Sequence, residues 1–227
     1  MDPETDFDRW RGLLRCGGWA ALGSVALTVF QVMVFAIWPP PETVPEIFDL
    51  MLDAPVLGLL SMDGVYLVNN MLVLLVYLGL AVALWPASRS AVVLMLSLGF
   101  IQMSAYYASN PAVEMLMLAN SYQNASGADK ESILSAGTAV FTAWTGTAFL
   151  VYYVLGAFVL LIVAWLLRRS TVFGPSVFWS ALAAGVLMLV PSPFGIVGMA
   201  FAIASLIPWS VFCILAGRRL LVLASEA

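Results

Sequence analysis

The sequence predicts an all-α, polytopic membrane fold: six transmembrane helices, both termini in the cytoplasm, and short amphipathic helices in the two external loops. Three observations carry that expectation. First, apolar residues make up 63% of the chain and charged residues only 10%, where soluble proteins hold roughly 45–50% and about 25%. A water-soluble chain of 227 residues with this composition could not cover its outside with polar surface. Second, six apolar stretches approach the roughly 20 residues that a spanning helix needs: 17–38, 64–85, 90–108, 142–167, 174–190 and 194–217. Third, the basic residues sort to one side. With the N-terminus inside, Arg9, Arg11, Arg15, Arg89, Arg168, Arg169, Arg218 and Arg219 all fall on cytoplasmic segments, and Lys130 alone falls outside, in accord with the retention of basic residues near span ends. An odd number of spans would destroy that sorting.

The elements follow in order. The tail 1–16 opens on acidic residues (Asp2, Glu4, Asp6, Asp8), unlike the basic start of a secretory signal, so 17–38 is expected to remain as the first span. Trp38, Trp85, Tyr107, Trp165 and Trp209 stand at or near span ends, where amphipathic rings favour the headgroup region. The first external loop, about 25 residues long, contains Thr43-Val-Pro-Glu46, a capping-box pattern with Pro45 suited to a first helical turn. Ile47, Phe48, Met51 and Leu52 then alternate at helical spacing with Glu46, Asp49 and Asp53. A short interfacial helix fits that pattern.

The second external loop runs to about 33 residues, and Asn110-Pro111 opens a helix expected to reach about Tyr122. After Asn124-Ala-Ser-Gly127, the helical pattern continues to Arg169. That is roughly 60 Å, twice a hydrocarbon core, so a break is expected at Gly137 or Gly146. Gly174-Pro175 and Pro191-Ser-Pro193 bound the fifth span and fold it tightly onto the sixth. Ala181/Gly185 and Gly198/Ala202 have the small-residue spacing of close helix contacts. Residues 218–227 are expected to form a cytoplasmic tail, and 1–227 a single membrane domain.

Composition excludes much chemistry. There is no histidine, which removes imidazole-based zinc sites, His-ligated haem and Ser-His-Asp triads. No lysine lies in an apolar run, so a Schiff-base cofactor has no attachment point. No basic cluster suggests nucleic acid. Cys16 and Cys213 fall toward the cytoplasmic ends of the outermost spans, where reducing conditions disfavour a disulfide. No metal and no cofactor are expected, and the eleven methionines are read as flexible packing residues.

What polar chemistry remains sits at one depth. Gln31, Asn69, Asn70, Gln102, Tyr106 and Tyr153 occupy the outer parts of four spans, while the inner halves are almost wholly Leu, Val, Ala and Phe. Polar side chains in hydrocarbon turn toward the bundle or a cavity. These residues therefore form either a pocket for a small lipophilic or uncharged molecule, or interhelical bonds contributing about 0.6 kcal/mol each. Asn69 and Asn70, adjacent on a helix, point about 100° apart, so one narrow groove does not hold both. Asp63 and Glu114 are the carboxylates placed to act as acid or base, although each also suits a helix N-terminus. Three functions remain open: binding or transport through the outer pocket, an accessory subunit docking a membrane-protein partner on its acidic external cap, and a metal-free enzyme using Asp63 and Glu114.

Leu116–Tyr122, Glu131-Ser-Ile-Leu-Ser-Ala-Gly137, Leu167-Arg-Arg-Ser-Thr-Val-Phe-Gly174 and the closing Trp209-Ser-Val-Phe-Cys-Ile-Leu-Ala-Gly-Arg-Arg-Leu-Leu-Val-Leu223 give the chain a family likeness. It resembles a family of small bacterial membrane proteins catalogued as domain of unknown function 4386. The resemblance implies a six-helix fold in a bacterial plasma membrane and no established activity. Where that family often carries an acidic residue after the Ala-Gly pair, this chain has Thr138.

Overall fold

The structure is a computed structural model that describes residues 7–191 and 195–226. The helices bounded within them are α1 (Arg11–Ile37), α2 (Val44–Asp53), α3 (Pro55–Ser61), α4 (Gly64–Leu84), α5 (Arg89–Ser109), α6 (Ala112–Asn124), α7 (Ala128–Trp144), α8 (Thr147–Arg169), α9 (Pro175–Leu187) and α10 (Gly195–Glu226). There is no strand among the described residues.

Five stretches are long and apolar enough to cross a membrane: Arg11–Ile37, Gly64–Leu84, Arg89–Asn124, Ala128–Arg169 and Gly195–Glu226. The stretch expected to supply another span, 174–190, forms only the 13 residues of α9, roughly 20 Å at helical rise. Pro175 sets its first turn. Its end comes ahead of Pro191, because the residue before a proline is biased away from helical dihedrals.

Packing closes six helices into a ring, in the order α1, α4, α5, α8, α9, α10 and back to α1. One apolar core fills it, including Leu14, Tyr77, Leu80, Met95, Val163, Phe212 and Leu220. The outward faces are also apolar, with Phe30, Met33, Ile196 and Ile207 exposed. Such a surface suits lipid and not water.

The tightest approaches are between glycines. A Cβ on Gly17 of α1 would lie 2.9 Å from the Cα of Gly79 of α4, and one on Gly18 would lie 3.0 Å from the carbonyl oxygen of Gly217 of α10. At Gly185 the nearest atoms are instead the side chains of Leu160 and Leu161.

The chain runs up and down around this ring, so the arginines gather at one end. There Arg11 Nε donates to the Ala224 carbonyl at 2.7 Å, and Arg219 Nε donates to the Val172 carbonyl at 2.9 Å. Arg219 also pairs with Glu226 at 3.6 Å. α1 begins at Arg11 and α10 continues to Glu226, and the Arg11 guanidinium satisfies a carbonyl that the end of α10 leaves unpaired.

The opposite end carries a cap of α2, α3, α6 and α7, with its own core of Val44, Ile47, Phe48, Met51, Met62, Ala112, Met115 and Ala119. The capping box is formed: Thr43 Oγ1 accepts from the Glu46 backbone, and the Glu46 carboxylate accepts from the Thr43 N–H. The first loop holds two helices rather than one, because Ala54 leaves helical dihedrals ahead of Pro55. In the long helical stretch the break falls at Gly146, between α7 and α8. Gly137 stays helical and has another use. A Cβ there would lie 2.8 Å from the rings and methyls of Phe48 and Val44, so its bare backbone lets α7 seat against the cap.

A buried polar layer as candidate functional site

Between the two apolar cores lies a polar layer, and its centre is the turn from α3 into α4. Asp63 there adopts φ 58°, ψ 27° and is the non-glycine residue with positive φ among those described. The left-handed region costs an L-residue roughly 1–2 kcal/mol, with aspartate among the residues that tolerate it best. Three side chains hold the turn. Gln31 Nε2 of α1 donates to the Leu60 carbonyl at 3.1 Å, Asn110 Nδ2 to the Met62 carbonyl at 3.0 Å, and the Tyr106 hydroxyl of α5 to the Asp63 carbonyl at 3.2 Å. Strain that is over-determined from several directions persists because the surroundings enforce it.

Asp63 stands at the N-cap of α4, the helix start expected of it, but its carboxyl makes no capping hydrogen bond. Half-buried and without an ion pair among the described residues, it is pushed up to about 7 by desolvation.

Below the turn, the side chains of α4 reach two neighbours. The Tyr152 hydroxyl of α8 donates to Asn70 Oδ1 at 3.1 Å, and the Tyr77 hydroxyl donates to Gln102 Oε1 of α5 at 3.3 Å. The Tyr106 and Tyr152 rings lie 4.8 Å apart. The other end of the Gln102 amide rests on bare backbone, since a Cβ on Gly156 would come 2.7 Å from Gln102 Nε2. Not every group finds a partner. Ser24 Oγ, Thr28 Oγ1, Gln31 Oε1, Ser61 Oγ, Asn69 Oδ1 and Asn70 Nδ2 are buried with no hydrogen bond.

All six polar residues singled out from the sequence are thus buried, but they do not form one undivided cluster. Asn70 and Tyr106 join through Tyr152, Gln31 reaches the strained turn, and Gln102 turns to Tyr77. Tyr153 instead stacks on Phe149 with ring centres 6.0 Å apart. Both adjacent asparagines are buried, at 3% and 1% exposure, because α4 has packed neighbours on more than one side. Sequence reasoning missed Tyr77, Ser24, Thr28 and Ser61, and took Asn110 only as a helix start. Tyr77 stands seven residues after Asn70, on the same helix face, which was the available signal.

The carboxylate pair fares differently. Glu114 is exposed on α6, and no hydrogen bond joins it to Asp63 among the described residues. Met95 and Met103 belong to the bundle core and Met115 to the cap core, so these sulfurs are divided between two interiors. No three His, Cys, Asp or Glu side chains converge among the described residues. Cys16 is exposed, while Cys213 lies in the bundle core; both are free thiols. Two surface grooves lie away from the polar layer. One of about 410 Å³ at the arginine end involves Arg168 and Phe173, and one of about 340 Å³ on the apolar flank involves Leu94 and Phe158.

No family model, no curated protein and no solved structure matches this chain.

Proposed function

We propose that the chain is a bacterial plasma-membrane protein that crosses the bilayer six times, with both termini in the cytoplasm. On this reading it binds or transports a small uncharged molecule in the polar layer beneath its external cap. The sorting of the arginines to one end supports the orientation, and the short α9 counts as a sixth, thinned crossing, to which a bilayer can adapt locally.

One observation carries the binding reading: buried amides are left unpaired between two apolar cores, at Asn69 Oδ1 and Asn70 Nδ2. A buried amide without a partner costs about 1–3 kcal/mol, and a guest that hydrogen-bonds it recovers that free energy. The surrounding Tyr106 and Tyr152 rings favour a guest with an apolar body and one or two polar atoms.

The test is extraction. Compounds released from the purified protein are compared by mass spectrometry with those from Asn70→Leu and Gln102→Leu variants of normal thermal stability. A compound retained by the parent and lost from both variants is the expected result. Identical extracts would remove the reading.

A second reading, an accessory subunit, is favoured by one separate feature. Val56, Val113 and Met117 on the cap are exposed, and α3 and α6 pack together. A partner membrane protein covering this surface would be retained after mild cross-linking.

A further inference from the structure

The arginines at one end of the ring do different things. Arg11 and Arg219 bond the carbonyls of Ala224 and Val172. Arg168, at the end of α8, is exposed and makes no hydrogen bond or ion pair among the described residues. Its guanidinium carbon instead lies 5.7 Å from the ring centre of Phe178, on the first turns of α9. A guanidinium held there keeps its fork of donors for a ligand, and that fork matches the oxygens of a phosphate.

Arg168 borders a groove of about 410 Å³ between the end of α8 and the start of α9, within the roughly 300–1,000 Å³ of small-ligand sites. Ser170, Gly174, Phe178 and Trp179 also line it, and no carboxylate does. Ser170 Oγ accepts from the Val172 N–H at 3.1 Å, which leaves the hydroxyl proton to donate. Gly174 has φ −75° and ψ 165°, extended backbone that any residue adopts, and a Cβ there would meet nothing within 4 Å. Neither its dihedrals nor its packing requires glycine. Its bare backbone faces open space at the groove.

The groove lies at a level marked by exposed tryptophans. Trp179 on its rim is 61% exposed, and Trp165, one turn before Arg169 on α8, is 42% exposed. The Arg169 guanidinium lies 4.0 Å from the Trp165 ring centre. Indole rings beside arginines mark the headgroup region of a bilayer. A free phosphate would use Arg168 and Ser170 and leave Trp179 bare. A phospholipid covers both, its phosphate at the arginine and its glycerol and first acyl carbons against the indole. The charge around the loop favours an anionic lipid over a zwitterionic one. Arg168, Arg169 and Arg219 surround residues 170–174, against the single carboxylate of Glu226, which pairs with Arg219. Basic pockets between membrane helices on the cytoplasmic side take anionic headgroups.

We propose that the groove between α8 and α9 binds an anionic phospholipid of the inner leaflet, with Arg168 and Ser170 on its phosphate and Trp179 against its glycerol and acyl region. The site rests on the reading of the chain as a membrane protein with its arginines in the cytoplasm, and is independent of any guest in the polar layer.

The test uses the purified full-length protein in detergent, supplied with equal amounts of phosphatidylglycerol and phosphatidylcholine carrying the same acyl chains. Native mass spectrometry counts the lipids retained. Phosphatidylglycerol is expected to be preferred about fivefold, the selectivity that one basic residue near an anionic headgroup provides. Arg168→Gln should bring the ratio close to unity. Arg15→Gln removes the same charge at the same end, on a helix three places round the ring from α8, and should leave the ratio unchanged. Gly174→Leu fills the groove and should abolish the preference while the melting temperature without lipid stays that of the parent. Should one groove variant fail to fold, the other decides. Equal retention of the two lipids would overturn the proposal, as would a preference lowered as much by Arg15→Gln as by Arg168→Gln. Displacement of phosphatidylglycerol by an equal concentration of inorganic phosphate would assign the groove to a free anion and overturn it too. Equal retention leaves the membrane reading standing, whereas recovery of the protein from cells without detergent would overturn both.

Discussion

Helices α2 and α4 differ in what they turn outward and in whether they bury polar groups. On α2 the buried positions are Val44, Ile47, Phe48 and Met51, while Glu46, Asp49 and Asp53 are exposed. On α4 polar residues are buried too: Asn69 and Asn70 lie inside with Val73, Val76 and Leu80, and their neighbours Val68 and Met71 are 58% and 54% exposed. The cap helix follows the rule for water, an apolar stripe turned inward. The bundle helix follows the rule for lipid, where apolar groups face out at no cost and polar groups turn inward to find partners. The two cores differ in material accordingly. Large side chains such as Phe48, Met51, Met62 and Met115 fill the cap, whereas the bundle's closest contacts are backbone on backbone at Gly17–Gly79 and Gly18–Gly217. The polar layer sits where one rule gives way to the other.

Several perturbations bear on this contrast, beginning with the largest. Phe48→Ala empties the centre of the cap and is expected to cost it about 4 kcal/mol. Limited proteolysis would then cut near 125–127, while thermal unfolding of the bundle shifts little; a joint collapse of cap and bundle would break the division into two cores. Gly17→Val places a side chain against the Gly79 backbone and should cost about 3 kcal/mol, lowering the melting temperature of the bundle itself.

Asp63 sharpens the boundary through pH. Its pKa of about 7 in the fold exceeds the unfolded carboxylate's, so between pH 4 and 7 the folded chain binds more protons than the unfolded one. Stability therefore falls as pH rises through that window, by about 2 kcal/mol after allowance for partial exposure. Asp63→Asn should flatten the profile and leave a protein more stable than the parent at pH 8; an unchanged slope would show that Asp63 is not the group responsible. Thr43→Ala, which removes the capping hydroxyl of α2, should cost about 1 kcal/mol and be visible only in protease sensitivity of the cap. Tyr106→Phe removes one of three bonds holding the strained turn and should cost roughly 1 kcal/mol, read as a small fall in melting temperature.

Much of this architecture was legible because its signals are local. The Thr43–Glu46 box, the proline bounding α9 and the Gly146 break are each written within a few residues, and each acts on backbone dihedrals within one helical turn. The Ala54-Pro55 step was equally local and was passed over, which is why α3 was unforeseen. Length was harder. The apolar run at 174–190 looked adequate, but its last residues form a turn rather than helix.

By itself, then, the sequence determined which segments are helices, α3 apart, that the outside is apolar, and that polar residues gather at one level of the spans. Only the tertiary structure decided the order of the ring, the partner of each amide and the division of Gln31, Asn69, Asn70 and Gln102 among different neighbours. The reason is physical. Spacing along a helix fixes the direction in which a side chain points, but not which helix stands there, and interhelical contacts in lipid differ from one another by too little for composition to choose among them.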